Sequence, residues 1–320
     1  MSNLTGNQAV PHPFRKGDEF ELPVPGIRYY PEHPRMQQLD QACTDNAFEE
    51  FQRLLTEWRG MEDPAPPRGP AEYPLGTVEP CLFHAIRLDR ATFVAYLLDQ
   101  GLKISRLAAW EASGYRCSST MWQVFVDHGH FDISAPMEDS GLPPLGYVLD
   151  NEPLVEWFLG QGADPNAESL WGLTPFLKAV GRSPLSTVKL LHAAGGSLAI
   201  SVPFVCSPHP PLPPNSNATL DSRLEVLRYL LDAGADANAK KWAHNAKGYA
   251  SDFDWGSALN DALANGRPEL AEELLRRGAR TDVPSYNIAS QGETAAALAA
   301  RYVPALLPLV EECRAREQAQ

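Results

Sequence analysis

Cysteine and histidine residues lie close together at three places in the sequence, and metal binding is the chemistry that such pairs could support. Two of the places are Cys-x-x-His pairs, which begin at Cys81 and at Cys206, and the third is the pair His128 and His130. A zinc ion usually takes about four such ligands, so several of these residues would have to meet in the folded chain. A metal site therefore depends on whether the fold brings the pairs together.

Motifs of the common catalytic sites are absent from the sequence. It contains no glycine-rich phosphate loop, no Gly-x-Ser-x-Gly nucleophile turn and no His-Glu-x-x-His motif. The five cysteines are odd in number and widely scattered, and no Cys-x-x-Cys pair occurs, so neither a disulfide framework nor a zinc ribbon fits. We interpret the cysteines as reduced thiols.

The basic and aromatic run Lys240–Lys247 has a composition found in nucleic-acid-binding surfaces. Its three lysines stand in a chain of 320 residues with 27 basic and 40 acidic residues and a formal net charge of -13. Binding to nucleic acid or to an anionic membrane depends on summed positive charge that displaces counterions. The composition therefore argues against both, and it favours basic or neutral partners.

The sequence shows no targeting or membrane-spanning segment. The N-terminus MSNLTGNQAVPHPF lacks a cationic run followed by an apolar stretch, and no run of about 18 apolar residues occurs. We expect a soluble cytoplasmic protein, with the nucleus as the alternative location, and a monomer.

The elements that position these residues are copies of one unit. The segment Thr174–Gly196 aligns without gaps with Ser257–Ala279 and with Pro80–Leu102. In each segment a short stretch of small or apolar residues precedes a turn and a second apolar stretch, which ends in a leucine-like pair followed by glycine. This spacing predicts two helices in each unit, with a period of about 33 residues.

The unit resembles the ankyrin repeat. Gly162–Ala167 followed by Gly172–Phe176 is similar to the G-A-D-x-N-A and G-x-T-P-L segments of that family, at the family's own spacing, and Gly234–Ala239 and Gly278–Asp282 repeat the first segment. The resemblance covers about residues 36–313. It implies an all-α solenoid of about eight stacked helical pairs, joined by short hairpin-like connections that we call fingers.

Physical chemistry accounts for the repeated letters. Glycine at positions such as Gly162 ends the second helix because it adopts the left-handed C-cap conformation at little cost. Thr174 can cap the next helix, and Pro175 lies in its first turn, where no backbone N–H is needed. Small residues such as Ala179 let neighbouring repeats approach closely, and leucines such as Leu191 fill the layer between them. One repeat cannot bury its own faces, so stacked repeats share a core.

Eight helical pairs are predicted, and the first and last are interpreted as caps. They cover residues 36–60, 80–101, 105–129, 143–162, 174–195, 202–234, 257–278 and 292–313. The predicted domains are a proline-rich extended segment, a repeat domain with three insertions, and a charged tail. Their bounds are 1–33, then 34–313 with insertions 61–79, 207–220 and 239–254, then 314–320. We interpret the insertions as enlarged loops; the alternative for the proline-rich ones is a ligand for another domain.

The resemblance also implies where a partner binds, because finger tips and the first helices below them form the concave binding face of the family. Leu170, Trp171 and Leu173 fall on variable tip positions, where exposed apolar area costs about 25 cal/mol per Å². The finger at 239–254 is longer than usual and sets aromatic groups beside charges of both signs, as interface hot spots do. The structural alternatives are that neighbouring fingers cover the apolar tips and that the long finger packs on its own repeat.

The predicted partner-binding residues lie either on fingers or at solvent-facing positions of first helices. They are Leu170, Trp171, Leu173, Lys178, Arg182, Lys241, Trp242, His244, Tyr249, Asp252 and Trp255. His84, Arg87 and Asp261 are further first-helix positions of this kind.

The sequence thus predicts a non-catalytic interaction module, an adaptor, scaffold or inhibitor, that binds another protein and holds no cofactor or metal. In the repeat register Cys81 starts one first helix and Cys206 ends another several units away, so we do not expect them to form a zinc site. The runner-up is a small-molecule enzyme or accessory factor of a metabolic pathway, with a pocket near the 239–254 finger. The resemblance gives a third alternative, because Asn238 is similar to the asparagine that is hydroxylated in some ankyrin proteins.

Overall fold

A computed structural model describes most of the chain. The described residues are 34–60, 78–137, 141–169, 172–207, 220–240, 256–287 and 290–319. They form helices, turns and connecting segments, with no β-strand among them. The predicted N-terminal segment and most of each predicted insertion lie outside these residues. The chain divides into two compact units, which meet in sequence at Ile133 and Ser134.

Unit 1 contains three pairs of short helices. The helices are α1 (Pro34–Thr44), α2 (Phe48–Arg59), α3 (Glu79–Arg87), α4 (Ala91–Asp99), α5 (Arg106–Gly114) and α6 (Ser119–Asp127). The first helices α1, α3 and α5 contact one another in order, and α4 contacts α6. Each pair therefore packs on the next, as the predicted repeat requires.

Aromatic side chains fill the layers between the pairs of unit 1. Phe51 of α2 and Phe93 of α4 are buried and pack edge to face, with ring centroids 5.1 Å apart. Trp122 and Phe125 of α6 are also buried, and their ring centroids lie 5.4 Å apart. Large rings remove much apolar surface from water, and this burial holds neighbouring pairs together.

Unit 2 contains the remaining helices in two rows. They are α7 (Glu152–Gly160), α8 (Pro175–Arg182), α9 (Leu185–Ala193), α10 (Ser201–Cys206), α11 (Leu220–Asp232), α12 (Ala258–Ala264), α13 (Pro268–Arg276), α14 (Ala295–Tyr302) and α15 (Leu307–Gln318). The first helices α8, α10, α12 and α14 contact one another in order. The second helices α7, α9, α11, α13 and α15 form a parallel series of contacts. The predicted all-α architecture of about eight helical pairs is confirmed.

One pair departs from the prediction of two helices over residues 143–162. A single 3₁₀ turn, Pro144–Tyr147, stands where the first helix of that pair was expected, and it contacts α8. The physical reason lies in Pro143, Pro144 and Gly146, because proline removes backbone donors and glycine has low helix propensity.

The last helix is longer than predicted. Helix α15 continues past Cys313 to Gln318, so residues 314–318 of the predicted tail are helical. The carboxylate of Glu317 accepts from the Thr281 amide at 2.9 Å and from Thr281 Oγ1 at 2.8 Å. These two bonds hold the last turn of α15 against the preceding repeat.

The predicted caps at Thr174 and Gly162 are present, and Ser257 caps α12 as Thr174 caps α8. Thr174 Oγ1 accepts from the Leu177 amide at 3.1 Å, and Ser257 Oγ accepts from the Asn260 amide at 3.2 Å. Gly162 follows α7 with φ +88°, in the left-handed region where glycine is favoured. Each cap fixes where a helix begins or ends, and so fixes the side chains that face the next repeat.

A buried arginine joins two consecutive repeats of unit 2. Arg223 of α11 is 4% exposed, and its Nη1 donates to the Val180 carbonyl at 2.6 Å. Its Nη2 donates to the Ser183 carbonyl. These carbonyls lie at the C-terminal end of α8, where the helix lacks backbone donors and carries partial negative charge. Arg223 therefore caps α8 from the following repeat.

Candidate interaction surface

The cysteine–histidine pairs do not converge within the described part of the chain. No cluster of three or more His, Cys, Asp or Glu side chains suited to a metal ion occurs there. His84 Nε2 lies 2.9 Å from Thr44 Oγ1, and His128 Nδ1 lies 2.7 Å from Asp99 Oδ1. Both contacts join one helical pair to the preceding pair, so these histidines serve the packing of unit 1.

The five cysteines are buried free thiols. Burial raises the pKa of Cys43 to about 11 and that of Cys117 to about 12. Burial also raises the pKa of Cys81, Cys206 and Cys313 above the ordinary value of a thiol. Because the thiolate is the form that attacks electrophiles and binds metals, these side chains act as small apolar groups at neutral pH.

Two predicted site residues, Lys178 and Arg182, lie one helical turn apart on α8, and both are half-buried. Lys178 Nζ lies 4.3 Å from the centroid of the Tyr147 ring, a cation–π contact with the 3₁₀ turn of the preceding repeat. The Tyr147 hydroxyl accepts from the Leu142 amide at 3.3 Å, which helps to hold the ring in place.

The charge on Lys178 is poorly compensated. Burial lowers the pKa of Lys178 to about 8, the positive charge of Arg182 acts in the same direction, and Asp150 opposes it. Neither Lys178 nor Arg182 forms an ion pair or hydrogen bond from its charged group with any part of the chain that the structure includes. Two like charges at this spacing on a helix destabilise it by a few tenths of a kcal/mol.

The finger that precedes α8 is closed by hydrogen bonds at its base. The Ser169 amide donates to the Leu173 carbonyl at 2.8 Å, and the Leu173 amide donates to Ser169 Oγ at 3.1 Å. Leu173 itself is half-buried. The other predicted tip residues, Leu170 and Trp171, lie outside the described residues. The structure thus places Leu173, Lys178 and Arg182 on two consecutive elements of one repeat.

The predicted site residues of the long finger lie outside the described residues. They are Lys241, Trp242, His244, Tyr249, Asp252 and Trp255. Their role as partner contacts stays a prediction.

Asp261 differs from the expectation of a solvent-facing first-helix position. It is 1% exposed, and its Oδ2 accepts from the buried Ser207 Oγ at 3.1 Å. Every residue of α10, and all but the last residue of α12, is buried. Within the first helices of unit 2, open side-chain positions therefore remain on α8, beside Tyr147, and on α14.

Two asparagines connect consecutive fingers in the same way. Asn166 Nδ2 donates to the Gly195 carbonyl at 2.8 Å, and its Oδ1 accepts from the Ser197 amide at 2.8 Å. Asn238 Nδ2 donates to the Gly278 carbonyl at 3.3 Å, and its Oδ1 accepts from the Arg280 amide at 2.7 Å. The residue pairs correspond one to one, so the two G-A-D-x-N-A segments build the same joint between repeats. The chain has an ankyrin-repeat fold.

Comparisons with known proteins found similar chains among solved structures. No family model matches the sequence, and no curated protein matches it. The crystal structure of the ankyrin repeat domain of Bcl-3, described there as a unique member of the IkappaB protein family, is similar in fold. The similarity covers 86% of this chain and 97% of that chain, with 20% sequence identity and a TM-score of 0.42.

Sequence reasoning missed Tyr147 as part of the open surface of the ankyrin repeats. The residue lies in the pair that lost its first helix, so no helical register placed it next to Lys178. The signal present in the sequence is an aromatic residue after Pro143 and Pro144, about one repeat length before Lys178. The contact depends on where the 3₁₀ turn lies against α8.

The described helices also bear on membrane association. None of them combines the length and the apolar character that crossing a bilayer requires.

Proposed function

We propose that the chain is a non-catalytic protein–protein interaction module, an adaptor, scaffold or inhibitor, that binds another protein. The binding surface in this proposal is the α8 face, which we define as Tyr147, Leu173, Lys178 and Arg182. The observation that carries the proposal is the pair of half-buried cations on this face that lack any carboxylate partner within the described chain. Two half-buried cations without a carboxylate destabilise the folded chain, and such an arrangement is typical of a site that binds a partner.

Rigidity supports this role. The Asn166 bonds to Gly195 and Ser197 fix one finger on the next, and the Thr174 cap fixes the start of α8. A surface that is ordered before binding loses little conformational entropy when a partner docks. A moderate contact area is then enough for useful affinity.

The same proposal includes residues that the sequence places beside the α8 face. Leu170 and Trp171 belong to the finger that Leu173 closes, and large apolar side chains at interface centres dominate binding energies. Trp242 and Trp255 on the long finger are proposed as a second contact region. We propose a protein partner because a net charge of -13 disfavours nucleic acid and anionic membranes. We further propose that the chain acts as a monomer without a cofactor, in the cytoplasm or the nucleus.

The proposal is tested by affinity capture followed by direct binding. Wild-type chain is used to capture proteins from lysate, and each recovered protein is purified and titrated against the wild type by calorimetry. We expect a stoichiometric complex whose Kd rises at least about tenfold when Trp171→Ala and Trp242→Ala are combined. Circular dichroism checks that the double variant is folded.

Lys189→Ala serves as the control, because Lys189 is an exposed lysine on the second helix α9, and its complex should keep the wild-type Kd. Failure of every purified protein to bind the wild type contradicts the proposed function. An unchanged Kd for the folded double variant contradicts the assignment of Trp171 and Trp242 as partner contacts.

A further inference from the structure

We infer that the partner sets an acidic segment on the α8 face, so that its carboxylates bind Lys178 and Arg182 and complete an ion-pair cluster that the chain leaves open. This inference rests on the proposed function and names the chemistry of the partner. It concerns the described residues of unit 2 only.

The pairing of other cations shows why this face is unusual. In unit 1, Arg87 donates to both carboxylate oxygens of Glu111, at 3.0 and 2.9 Å. In unit 2, Arg228 binds the Glu273 carboxylate at 3.0 Å, and Arg277 binds the Asp232 carboxylate at 2.8 Å. These pairs join neighbouring repeats through opposite charges, as a stabilising surface pair does. Lys178 also lies against the preceding repeat, at Tyr147, yet neither Lys178 nor Arg182 has a carboxylate partner within the described residues.

The groups that act on Lys178 include no carboxylate within ion-pair distance in the described part of the chain. They are the Tyr147 ring from the 3₁₀ turn, Asp150 from the segment before α7, and Arg182 from α8 itself. Asp150 is exposed and has contacts of its own, and it forms no ion pair with Lys178. Lys178 therefore has a like charge in Arg182 and an opposite charge in Asp150 that lies beyond ion-pair distance, and an added carboxylate would lower the electrostatic energy of the cluster.

The form of the surface favours a protein segment over a small free anion. Side chains four residues apart on a helix lie about 6 Å apart, a distance that two carboxylates of one acidic segment can match. The apolar Leu173 lies on the adjoining finger, and the Tyr147 ring lies under Lys178. An acidic segment with apolar residues would use the cations, the ring and Leu173 together. The overall charge of -13 opposes such a segment at long range, so its recognition depends on these short-range contacts.

Protonation of Lys178 controls the charge of this site near neutral pH. Because the pKa of Lys178 lies at about 8, the ammonium loses its proton over a range where most lysines keep theirs. Binding of an acidic segment should then weaken as pH rises through about 8. An arginine at the same position stays charged and removes this dependence.

The probe for the test is a short fluorescein-labelled peptide of alternating Glu and Leu, with a matched peptide in which Gln replaces Glu. Binding to the full chain is measured by fluorescence polarisation at constant ionic strength. We expect the Glu peptide to bind at least about tenfold more tightly than the Gln peptide, which corresponds to one good charged contact. We expect Lys178→Met and Arg182→Gln each to remove most of that difference.

Lys189→Met is the matched control, since Lys189 Nζ also lies over a tyrosine ring, that of Tyr229, at 5.4 Å, but on a second helix. It should bind the Glu peptide as the wild type does. Lys178→Arg should bind it without the decline above about pH 8. Equal binding of the two peptides, or an equal loss in Lys178→Met and Lys189→Met, overturns the inference. Displacement of the Glu peptide by inorganic phosphate at matched ionic strength also overturns it, because the site would then be a simple anion site.

The outcomes separate this inference from the proposed function. If a purified partner loses affinity in the combined Trp171→Ala and Trp242→Ala variant but keeps it in Lys178→Met, only the acidic segment is wrong. If the peptide results hold while no purified protein binds the wild type, the proposed function is wrong.

Discussion

At the scale of single residues, the half-buried charge of Lys178 lowers the stability of the folded chain. Burial disfavours the charged form of the side chain, and Arg182 adds repulsion. The Tyr147 ring offers partial compensation at 4.3 Å, but no carboxylate pairs with the ammonium within the described chain. The folded state therefore holds its proton less tightly than the unfolded state, whose lysine has the ordinary pKa.

Replacement of Lys178 by methionine is expected to raise the free energy of unfolding at neutral pH by on the order of 2 kcal/mol, after allowance for the exposed part of the side chain. The folded-state pKa of about 8 lies below the ordinary value of 10.5. Between these values the unfolded state binds the extra proton, so wild-type stability rises with pH across this window. Below about pH 8 Lys178 is charged in both states, and the full free-energy cost of burying its charge lowers the stability of the wild type.

Urea unfolding of wild type and Lys178→Met at about pH 7 and about pH 9.5 measures this effect. The stability advantage of Lys178→Met should shrink at the higher pH. Lys189→Met should show no such change relative to wild type, and a constant advantage of Lys178→Met at both pH values contradicts the argument.

At the scale of elements, the end of α7 shows how the repeat letters define structure. Gly160 is the last residue of the helix, and Gly162 follows it with φ +88°. A Cβ at either position would meet no atom within 4 Å. The two glycines therefore differ in backbone conformation and share open surroundings.

Alanine at these two positions should have opposite effects on stability. Gly160→Ala should raise the free energy of unfolding by about 0.5–1 kcal/mol, because alanine favours the helix and reduces the freedom of the unfolded chain. Gly162→Ala should lower it by about 1 kcal/mol or more, because a Cβ is strained in the left-handed conformation. Thermal unfolding of the two variants checks the signs. Destabilisation of equal size in both would mean that packing, rather than backbone conformation, governs this turn.

The joint between fingers is also an element-scale device. Asn166→Ala removes the bonds to the Gly195 carbonyl and the Ser197 amide, and we expect a loss of about 1–3 kcal/mol because both backbone groups lose a partner. Hydrogen exchange of the Ser197 amide should accelerate. Glu168→Ala, an exposed change on the same finger, is the control and should leave that exchange rate unchanged.

At the scale of the whole molecule, the chain is two units, each held together by contacts between consecutive repeats. In unit 2 these contacts include the bonds of Arg223 to α8, the pairing of Arg228 with Glu273 and the pairing of Arg277 with Asp232. Repeat proteins gain much of their stability from such neighbour interactions, because no repeat covers its own faces. Loss of one joint should then weaken the unit that contains it.

Arg223→Met tests this at the joint between α11 and α8. It removes the donors to the Val180 and Ser183 carbonyls, and we expect the free energy of unfolding of unit 2 to fall by about 2–3 kcal/mol. Fluorine NMR of 5-fluorotryptophan-labelled chain follows Trp122 in unit 1 and Trp157 in unit 2 through urea unfolding. The transition at Trp157 should move to lower urea and that at Trp122 should not. Equal shifts at both would show that the units unfold as one body.

The sequence by itself determined the helical pairs other than the one at residues 143–162, together with the Thr174 and Gly162 caps and the recurrence of one motif between repeats. These features depend on local properties: the left-handed conformation of Gly162, the hydroxyl of Thr174 and the repeated Asn-containing segments, each of which acts within one or two repeats. The positions of Lys178 and Arg182 on a first helix followed from the same register.

The tertiary structure decided which first-helix positions are open and what their charges experience. Sequence spacing treats Lys178 and Asp261 alike, yet Asp261 is buried against Ser207 while Lys178 stays half-buried over Tyr147. Burial and pKa depend on every neighbour within a few Å, including the 3₁₀ turn that replaced a predicted helix. Such surroundings are set by the packing of consecutive repeats, because a repeat register fixes the position of a residue but leaves its neighbours undefined.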